Sequence, residues 1–495
     1  MSAPVTSAGI AASSATPPRV SHDDLRLLID GEWLDGAGRT MRPVINPATE
    51  VILGSLPLAT PADLDRALDA AQRAWPSWRA LAPVQRGRIL RRAADLLRSR
   101  TEEIARLATL EEGKTLTESR IEVGMAANVF EWYAEEGRRA YGRVLPQQTP
   151  GVRMTVVREP VGPVAAFAPW NFPLGNPARK LGAALGAGCT CILKPAEEAP
   201  ASALAIAAAL VEAGVPPGVI AIVFGDPAAV SAHLIASPVI RKISFTGSVP
   251  VGKQLLKLAA EGAKRTTMEL GGHAPVIVFD DVDLEHVLDL AVAAKFRNAG
   301  QVCVSPTRFY VQEALYERFL AGFASRAKAL RVDDGLVDGA RMGPLAHARR
   351  LAAVETFIED AHGSGSRVVA GGRRIARKGW FHEPTVLGDV PDSARMMNEE
   401  PFGPIALINR FDDFDTVIRA ANRLPYGLAA FAFTRDARRV NLLGEQIEAG
   451  MIGINSFTIS VPESPFGGMK ESGHGSEEGI EGLDACLATK FITES

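Results

Sequence analysis

Residues 162–170 read GPVAAFAPW, and residues 174–195 read LGNPARKLGAALGAGCTCILKP. The first segment and the end of the second are short apolar runs typical of buried strands, whereas residues 174–188 have the length and spacing of a helix. A strand, a helix and a second strand in this order predict a βαβ unit, because parallel strands need such a crossover. This stretch therefore predicts an α/β fold.

The same alternation of strand and helix patterns continues for almost eighty residues beyond this unit. Its segments are SALAIAAALVEAG (202–214), VIAIVFG (219–225), VSAHLIAS (230–237), RKISFTG (241–247), VGKQLLKLAAEGA (251–263) and RTTMELGG (265–272). A second strand–helix set begins with PVIVFD at residues 275–280. The pattern predicts two parallel sheets with helices on both faces. Because such sheets bind ligands beyond the carboxyl ends of their strands, residues at those ends are the candidates for chemistry.

The regions on either side of the αβ series have simpler patterns. Residues 25–34 predict a hairpin, and residues 83–110 and 116–141 predict long helices. Residues 1–22 begin with a low-charge Ala, Ser, Pro and Thr segment and are predicted to form a disordered tail. The terminal segment CLATKFI predicts an apolar edge strand, which pairing with another subunit would cover. We therefore expect a homodimer or a homotetramer.

The composition is that of a soluble globular protein. The chain has 495 residues, of which 47% are hydrophobic and 22% are charged, so we expect two or three domains. The formal net charge of −3 gives no electrostatic footprint for nucleic acid or for an anionic membrane. No apolar run reaches the roughly 18–20 residues that span a bilayer. The four cysteines include no metal-type CxxC pair, which predicts reduced thiols, a cytoplasmic location and no metal site.

One cysteine lies in a segment that suits a nucleophile. Cys303 is at the centre of FRNAGQVCVSPTR, residues 296–308, just after a helix pattern and within a turn that contains Asn298 and Gly300. Such a turn leaves backbone N–H groups free, and such donors stabilise the nucleophilic thiolate. The alternative for a lone cysteine is a buried structural thiol.

The strand ends carry residues suited to a dinucleotide. Gly247 and Ser248 open a helix, whose N-terminus can bind a pyrophosphate. Lys194 can donate to a ribose or a phosphate, and Glu197 can accept from ribose hydroxyls, which disfavours a 2′-phosphate. No GxGxxG fingerprint is present, so the alternative for Lys194 is a solvated strand end.

Seven motifs occur in a fixed order along the chain. They are PWNFP, KPAE, FTGS, MELGG, FRNAGQVC, EEPFGP and PFGGMKESGHG. Together they resemble the aldehyde dehydrogenase superfamily over residues 25–491, and they are most similar to its succinate-semialdehyde and α-ketoglutaric-semialdehyde dehydrogenase branch. The resemblance implies the aldehyde dehydrogenase fold, with two parallel-sheet Rossmann-like domains and a small β oligomerisation extension. The implied parts are an NAD-binding domain (23–145 and 161–268), oligomerisation strands (146–160 and 484–495) and a catalytic domain (269–483).

The resemblance also implies catalytic roles. Cys303 attacks the aldehyde carbon, and the Asn171 side chain and the Cys303 backbone N–H stabilise the oxyanion. Glu269 is the base that activates water for thioester hydrolysis; a salt bridge is its structural alternative. Lys180 matches a residue of a proton-relay path, although a structural ion pair is an alternative.

The implied cofactor is NAD, with NADP as the alternative. The residues implied to contact it are Pro169, Trp170, Lys194, Glu197, Gly247, Ser248, Glu269, Leu270, Glu400 and Phe402.

The implied substrate is a semialdehyde with a distal carboxylate. Arg179 and Arg297 match the two arginines that hold this group, and Ser460 matches a serine near it. The alternatives are arginines paired within the protein, another aliphatic or aromatic aldehyde, a CoA-acylating enzyme, and a non-enzymatic binding protein. The presence of Glu269 argues against the CoA-acylating enzyme.

The chain departs from this branch at several positions. Ser305 stands where many members have a cysteine, so a redox-switch disulfide with the nucleophile is not expected. His273 follows MELGG where lysine is usual, and Pro462 makes the alignment of Ser460 ambiguous.

Overall fold

The computed structural model describes residues 17–495. Its helices are α1 (Pro61–Ala80), α2 (Pro83–Ser99), α3 (Thr101–Glu112), α4 (Leu116–Glu136), α5 (Gly175–Ala187), α6 (Pro200–Ala213), α7 (Pro227–Ala236), α8 (Val249–Glu261), α9 (Leu284–Phe296), α10 (Tyr316–Ala329), α11 (Ala348–Ser364), α12 (Phe414–Asn422), α13 (Ala437–Gln446) and α14 (Gly479–Asp484). Its strands are β1 (Leu27–Ile29), β2 (Glu32–Leu34), β3 (Met41–Ile45), β4 (Ile52–Pro57), β5 (Arg143–Leu145), β6 (Arg153–Pro160), β7 (Val164–Phe167), β8 (Cys191–Lys194), β9 (Ile220–Ile222), β10 (Lys242–Gly247), β11 (Arg265–Leu270), β12 (Ala274–Val278), β13 (Pro306–Gln312), β14 (Arg367–Ala370), β15 (Thr385–Gly388), β16 (Ile405–Phe411), β17 (Tyr426–Gly427), β18 (Ala429–Phe433), β19 (Met451–Ile454), β20 (Met469–Lys470), β21 (Gly473–His474) and β22 (Leu487–Glu494).

The first sheet has the strand order β2-β1-β9-β8-β7-β10-β11-β21. Its five central strands are parallel, and β1, β2 and β21 pair antiparallel at the edges. The sheet grows outward from β7 in one direction through β8 and β9 and in the other through β10 and β11. The strand order therefore reverses between β7 and β10, which is where an open α/β sheet binds its ligand.

The second sheet has the order β14-β15-β16-β13-β12-β18-β19. Its strands are parallel except for β14 at one edge. Both sheets lie within mixed αβ layers, so the prediction of an α/β fold with two parallel sheets is confirmed.

Each sheet has its own hydrophobic core. The first core runs from Leu25 to Leu270 and also takes in Leu483 and Leu487, and the second runs from Ala274 to Phe466. These cores lie close to the predicted partition into an NAD-binding and a catalytic domain, whose boundaries stay a prediction. Ligand sites occur preferentially at the interface of two such units.

A third sheet has the order β22-β6-β5. It contains the strands predicted within residues 146–160 and 484–495. It also contains β5, which the prediction assigned to the NAD-binding domain. The reason is a full antiparallel pairing of β5 with β6, from Arg143 opposite Val156 to Leu145 opposite Met154.

The helical region differs from its prediction at two places. The helix predicted over residues 83–110 is broken at Arg100, which leaves helical backbone geometry. The hydroxyls of Ser99 and Thr101 donate to the carbonyls three residues earlier, and such bonds compete with helix continuation. The helix predicted over residues 116–141 ends at Glu136.

The predicted tail lies outside the described residues for positions 1–16. Its last part packs on the fold: His22 is buried, and its Nε2 lies 3.2 Å from Glu111 Oε2. Within residues 17–495, no helix combines the length and the apolar character that a membrane crossing requires.

Candidate active site

Asn171 lies in the turn between β7 and α5. Its side chain is buried, and Nδ2 donates to the Gln301 carbonyl at 3.0 Å. An amide nitrogen carries two N–H groups, so one remains for another acceptor. The contact with Gln301 brings this donor beside the segment that carries Cys303.

The turn before Cys303 has an unusual backbone. Asn298 and Ala299 have φ values of 49° and 51°, and Gly300 has a φ of 72°. A Cβ on Gly300 would lie 2.1 Å from the Gly403 carbonyl oxygen, so this position requires glycine. Asn298 Nδ2 donates to the Asn171 carbonyl at 2.9 Å, which ties the two turns together.

The Cys303 thiol is half-buried, and its environment differs from the thiolate-stabilising turn that we expected from the sequence. Desolvation and the neighbouring Glu269 carboxylate raise the pKa of this thiol well above its usual value, although Arg179 opposes the shift. Solvent exclusion and a carboxylate brought by β11 therefore oppose the thiolate that the donors of the turn would stabilise. A base close to the sulfur would offset this effect.

Glu269 supplies a carboxyl group close to that thiol. It lies near the end of β11 with 1% of its surface exposed. Its Oε1 atom has no hydrogen-bond partner among residues 17–495. Burial, reinforced by Glu477, raises its pKa to about 7. Such a carboxyl can accept and release a proton near neutral pH.

Lys180, on α5, is buried beneath these groups. Its Nζ forms an ion pair with Glu477 and donates to Thr246 Oγ1 at 2.8 Å. Both charges act on the Glu269 carboxyl, since Glu477 raises and Lys180 lowers its pKa. The structural ion pair that was the alternative for Lys180 is thus present. A proton-relay path through Lys180 stays a prediction.

A cavity of about 600 Å³ opens at the switch point of the first sheet. Its polar lining includes Lys194, Glu197, Gly247 and Ser248, and its apolar lining includes Phe245. Ser248 is the N-cap residue of α8, and its side chain makes no capping bond, so the helix N-terminus is open to an anion. Pro169 and Trp170 lie on the same wall.

The lining of this cavity fits a dinucleotide. Lys194 Nζ lies 2.6 Å from Glu197 Oε1, which also accepts from the Gly225 N–H at 3.0 Å. The predicted residue Leu270 is buried and packs beneath Gly252 of α8.

In the part of the chain that the structure describes, no group of three or more His, Cys, Asp or Glu residues could hold a metal ion.

Glu400 and Phe402 come from the segment before β16, beside the turn at Gly271 and Gly272 and beside Trp170. The Gly272 N–H donates to Glu400 Oε1 at 3.4 Å, and burial raises the pKa of Glu400 to about 8. A Cβ on Gly271 would lie 2.3 Å from Glu400 Oε2. The Phe402 ring packs edge-on against Trp170 at 5.6 Å. Of the predicted cofactor residues, Phe402 packs against the wall of the cavity at Trp170, whereas Glu269, Leu270 and Glu400 are not among the residues that line it.

The two predicted substrate arginines have different environments. Arg179 is buried, and its Nε lies 3.0 Å from Glu478 Oε1. Its Nη2 donates to Ser460 Oγ at 2.8 Å, and that hydroxyl donates to Glu478 Oε2 at 3.3 Å. Although burial alone would lower the pKa of Arg179, Glu478 and Glu477 raise it. Arg179 and Ser460 therefore lie together, but the guanidinium already has an internal carboxylate.

Arg297, in contrast, is exposed. Its guanidinium carbon lies 5.7 Å from the centroid of the Phe172 ring. Among the residues described here, its side chain has no hydrogen-bond acceptor and no carboxylate within 4.0 Å. A cation in this state can accept an anionic ligand without breaking an existing pair.

Sequence reasoning missed three charged residues at this site. Glu477 and Glu478 come from the Gly-rich loop at residues 464–479, where two adjacent acids were the available signal. Lys295 is fully buried, and its Nζ donates to Ser305 Oγ at 3.0 Å. Burial lowers the pKa of Lys295 to about 7.

His273, which stands where lysine is usual, is buried as well. Its Nε2 lies 2.8 Å from the Met396 carbonyl oxygen. Burial and the neighbouring Arg308 lower its pKa well below the usual value. His273 is therefore a neutral packing residue at this position.

Comparisons with known proteins agree with this geometry. The sequence profile of the aldehyde dehydrogenase family matches residues 33–492. The chain is 50% identical to the 4-(hydroxymethyl)benzenesulfonate dehydrogenase TsaD1 of Comamonas testosteroni over 94% of this chain and 97% of that one. It is 45% identical to the NADP⁺ succinate-semialdehyde dehydrogenase GabD of Escherichia coli K12 over 94% and 96%.

A solved structure gives the same result. The crystal structure of an NADP-dependent enzyme of E. coli superposes with a TM-score of 0.94 and 44% identity, covering 96% of this chain and 98% of that one. The family profile, the relatives and the fold point to one chemistry, the NAD(P)-dependent oxidation of an aldehyde. The chain belongs to the aldehyde dehydrogenase family.

Proposed function

We propose that this protein oxidises an aldehyde with a distal anionic group, of the succinate-semialdehyde type, to the carboxylic acid. The observation that carries the proposal is the exposed Arg297 guanidinium, which has no acidic partner among residues 17–495. A guanidinium binds a carboxylate through two parallel hydrogen bonds, which makes the contact geometrically selective.

The proposed chemistry divides among three residues. Glu269 takes the proton of the Cys303 thiol and passes it to solvent, and the sulfur then bonds to the aldehyde carbon. Asn171 Nδ2 and the Cys303 N–H stabilise the resulting oxyanion. NAD(P) bound in the cleft supplies the hydride acceptor. The acyl group is then held on Cys303 as a thioester. Glu269 takes a proton from water, which attacks the thioester and releases the acid.

A second candidate substrate is an aromatic aldehyde that carries a sulfonate. The relative with 50% identity is named for a benzenesulfonate, and the relative with 45% identity is named for a semialdehyde that bears a carboxylate. Both named compounds have an anionic group remote from the reacting carbon. That carbon is the hydroxymethyl carbon in the sulfonate and the aldehyde carbon in the semialdehyde. An arginine can bind either group, so the distal anion is the part of the proposal that both relatives support.

The test compares anionic substrates with neutral ones of matched shape. Succinate semialdehyde is paired with butanal, and 4-formylbenzenesulfonate with benzaldehyde. For Arg297→Ala we expect kcat/KM to fall about 10- to 100-fold on the anionic members, as for a lost charge-assisted hydrogen bond. The neutral members should change less than about threefold, since they do not use the charge. An equal loss on both members of each pair would contradict the proposal.

Arg179→Ala is the matched control variant. Because Arg179 is paired with Glu478, we expect its loss to lower kcat/KM on anionic and neutral aldehydes alike. A loss confined to the anionic substrates would restore Arg179 to the substrate site that the sequence predicted. Adding CoA to the same assays tests the CoA-acylating alternative, which predicts acyl-CoA as the product.

For the cofactor we propose NAD as the preferred dinucleotide. The support is Glu197, whose carboxylate lines the cavity and would repel a 2′-phosphate. Lys194 and Arg42, whose Nη1 lies 3.8 Å from Glu197 Oε2, reduce this repulsion. Equilibrium binding of NAD and NADP to the purified protein, followed by tryptophan fluorescence, measures the preference. Tighter binding of NADP would overturn it.

We propose that the protein is a homodimer or a homotetramer. The support is β22, where Phe491 and Ile492 expose large apolar side chains at the edge of the third sheet. Light scattering coupled to size-exclusion chromatography gives the mass in solution. A monomer at micromolar concentration would contradict the proposal.

We also propose a cytoplasmic location. The four cysteines of the chain are all free thiols, as expected in a reducing compartment. Thiol counting after denaturation of protein from its native cells tests this directly. Fewer than four titratable thiols in alkylated extracts would count against it.

A further inference from the structure

A buried ion pair grips the turn that carries Asn171. Lys114 follows the end of α3, and Glu122 lies on α4; both side chains are 1% exposed. Lys114 Nζ lies 2.5 Å from Glu122 Oε2 and donates to the Asn171 carbonyl at 2.7 Å. The same ammonium lies 4.3 Å from the centroid of the Phe172 ring. One cation thus contacts two consecutive residues of the turn.

Glu122 holds the other end of that turn. Its Oε1 accepts from the Leu174 N–H at 2.8 Å and from the Gly175 N–H at 3.0 Å. These are the N–H groups of the N-cap residue and of the first residue of α5, and a carboxylate at a helix N-terminus satisfies them. The ion pair therefore clamps both sides of the four-residue segment 171–174.

The energetics of burial make this arrangement informative. A buried ion pair loses the hydration of both charges and is often no more stabilising than an apolar pair of similar size. A gain in stability alone therefore does not explain why two charges lie here. What the pair does provide is a set of directional hydrogen bonds, and these bonds fix the position of the Asn171 backbone.

The position of the Asn171 backbone matters because the short Asn171 side chain cannot make up for a displaced backbone. Its side-chain donor must meet an oxyanion that forms at Cys303, and a displacement of about 1 Å can cost about 10²-fold in rate. Asn298 also donates to the Asn171 carbonyl, but it belongs to the turn before Cys303 (residues 298–300, the nucleophile turn). Lys114 and Glu122 fix the turn against α3 and α4 instead.

We propose that Lys114 and Glu122 are positioning residues, which hold the turn of Asn171 so that its side-chain amide faces the oxyanion formed at Cys303. The inference rests on the proposed role of Asn171 as an oxyanion donor. It assigns no contact with substrate or cofactor to either residue.

The test is a double-mutant cycle. The perturbing variant is Lys114→Met with Glu122→Gln, which removes both charges of the pair; Glu112, whose Oε2 lies 4.0 Å from Lys114 Nζ, is the buried carboxyl that remains beside them. It is made in the wild-type background and in Asn171→Ala, and the first-turnover rate of NADH formation is measured. In the wild-type background we expect a loss of about 10- to 100-fold, and in Asn171→Ala a loss of less than about threefold.

A matched control separates positioning from stability. Arg39 and Asp63 form another largely buried ion pair, with Nη2 and Oδ1 2.7 Å apart, and Asp63 also accepts from the Thr60 N–H. The variant Arg39→Met with Asp63→Gln loses a comparable pair at the start of α1. It should lower Tm without changing the first-turnover rate by more than about threefold.

The outcomes are distinguishable. Equal losses from the Lys114 and Glu122 variant in both backgrounds would overturn the inference, because the pair would then act independently of Asn171. No loss from Asn171→Ala alone would instead overturn the proposed oxyanion role. If the double variant fails to fold, Lys114→Arg is used: it keeps the charge but moves the donor, and the same non-additivity with Asn171→Ala is expected.

Discussion

Glu269 should lower the stability of the folded protein at the pH where we propose that it acts as a base. Burial raises its pKa from 4.5 to about 7. This difference corresponds to about 3 kcal/mol of preference for the protonated form in the folded state. Substitution by glutamine, which is neutral and similar in shape, removes that pH-dependent cost.

The sign of the effect follows from linkage. Below pH 4.5 the carboxyl is protonated in the folded and the unfolded chain, so the substitution changes nothing through this group. Between pH 4.5 and about 7 the unfolded chain loses the proton first, and the wild-type protein becomes progressively less stable. Above about pH 7 the full cost of about 3 kcal/mol is present, so the advantage of Glu269→Gln should be largest there.

The assay is the Tm of wild type and of Glu269→Gln at pH 5, 6, 7, 8 and 9. We expect the difference in Tm to grow with pH and to level off above about pH 8. Turnover should fall about 10²- to 10⁴-fold at the same time, because hydrolysis loses its base. Glu261→Gln, at the exposed end of α8, is the control and should show no such trend. A Tm difference that is constant, or that shrinks as pH rises, would refute the reasoning.

Three further predictions follow from the site. Gly300→Ala should cost about 1–3 kcal/mol, read as a lower Tm, because the residue has a positive φ and a Cβ would meet Gly403; an unchanged Tm would contradict the turn geometry. Ser305→Cys should increase the activity that dithiothreitol recovers after excess hydrogen peroxide, because a second thiol can trap the Cys303 sulfenic acid as a disulfide before it is oxidised irreversibly to the sulfinic acid; equal recovery in wild type and variant would contradict this. Arg179→Ala should move the pH–rate profile to higher pH, because Arg179 lowers the pKa of both Cys303 and Glu269; a profile that stays in place would show that its charge does not reach them.

The strand ends and the nucleophile turn could be predicted from the sequence because both depend on local pattern. An apolar strand that ends in a short polar or Gly segment predicts which residues meet at one edge of a sheet. Lys194, Gly247 and Glu269 accordingly lie where the alternation of strands and helices indicated. The motif order then added the family, which the fold and the relatives confirm.

The protonation states could not be predicted in this way. The pKa of Cys303 depends on desolvation and on a carboxylate that β11 brings to it, and neither is visible in the turn that contains the cysteine. The same limit applies to Arg179. Its partner Glu478 comes from a distant Gly-rich loop, so an arginine that looked available along the sequence is paired in the structure.

The two arginines of the site, Arg297 and Arg179, differ in exposure and in pairing. Arg297 is exposed at the start of the nucleophile turn and has no acidic partner in the described chain, which suits a ligand that arrives from solvent. Arg179 is buried, and although Glu478 balances it, its charge still lowers the pKa of Cys303 and of Glu269. A cation that bound the substrate directly would lose part of this effect, since the substrate anion would neutralise it further. Under the proposed function, keeping Arg179 paired within the protein therefore makes its effect on Cys303 and Glu269 independent of which anion Arg297 would bind.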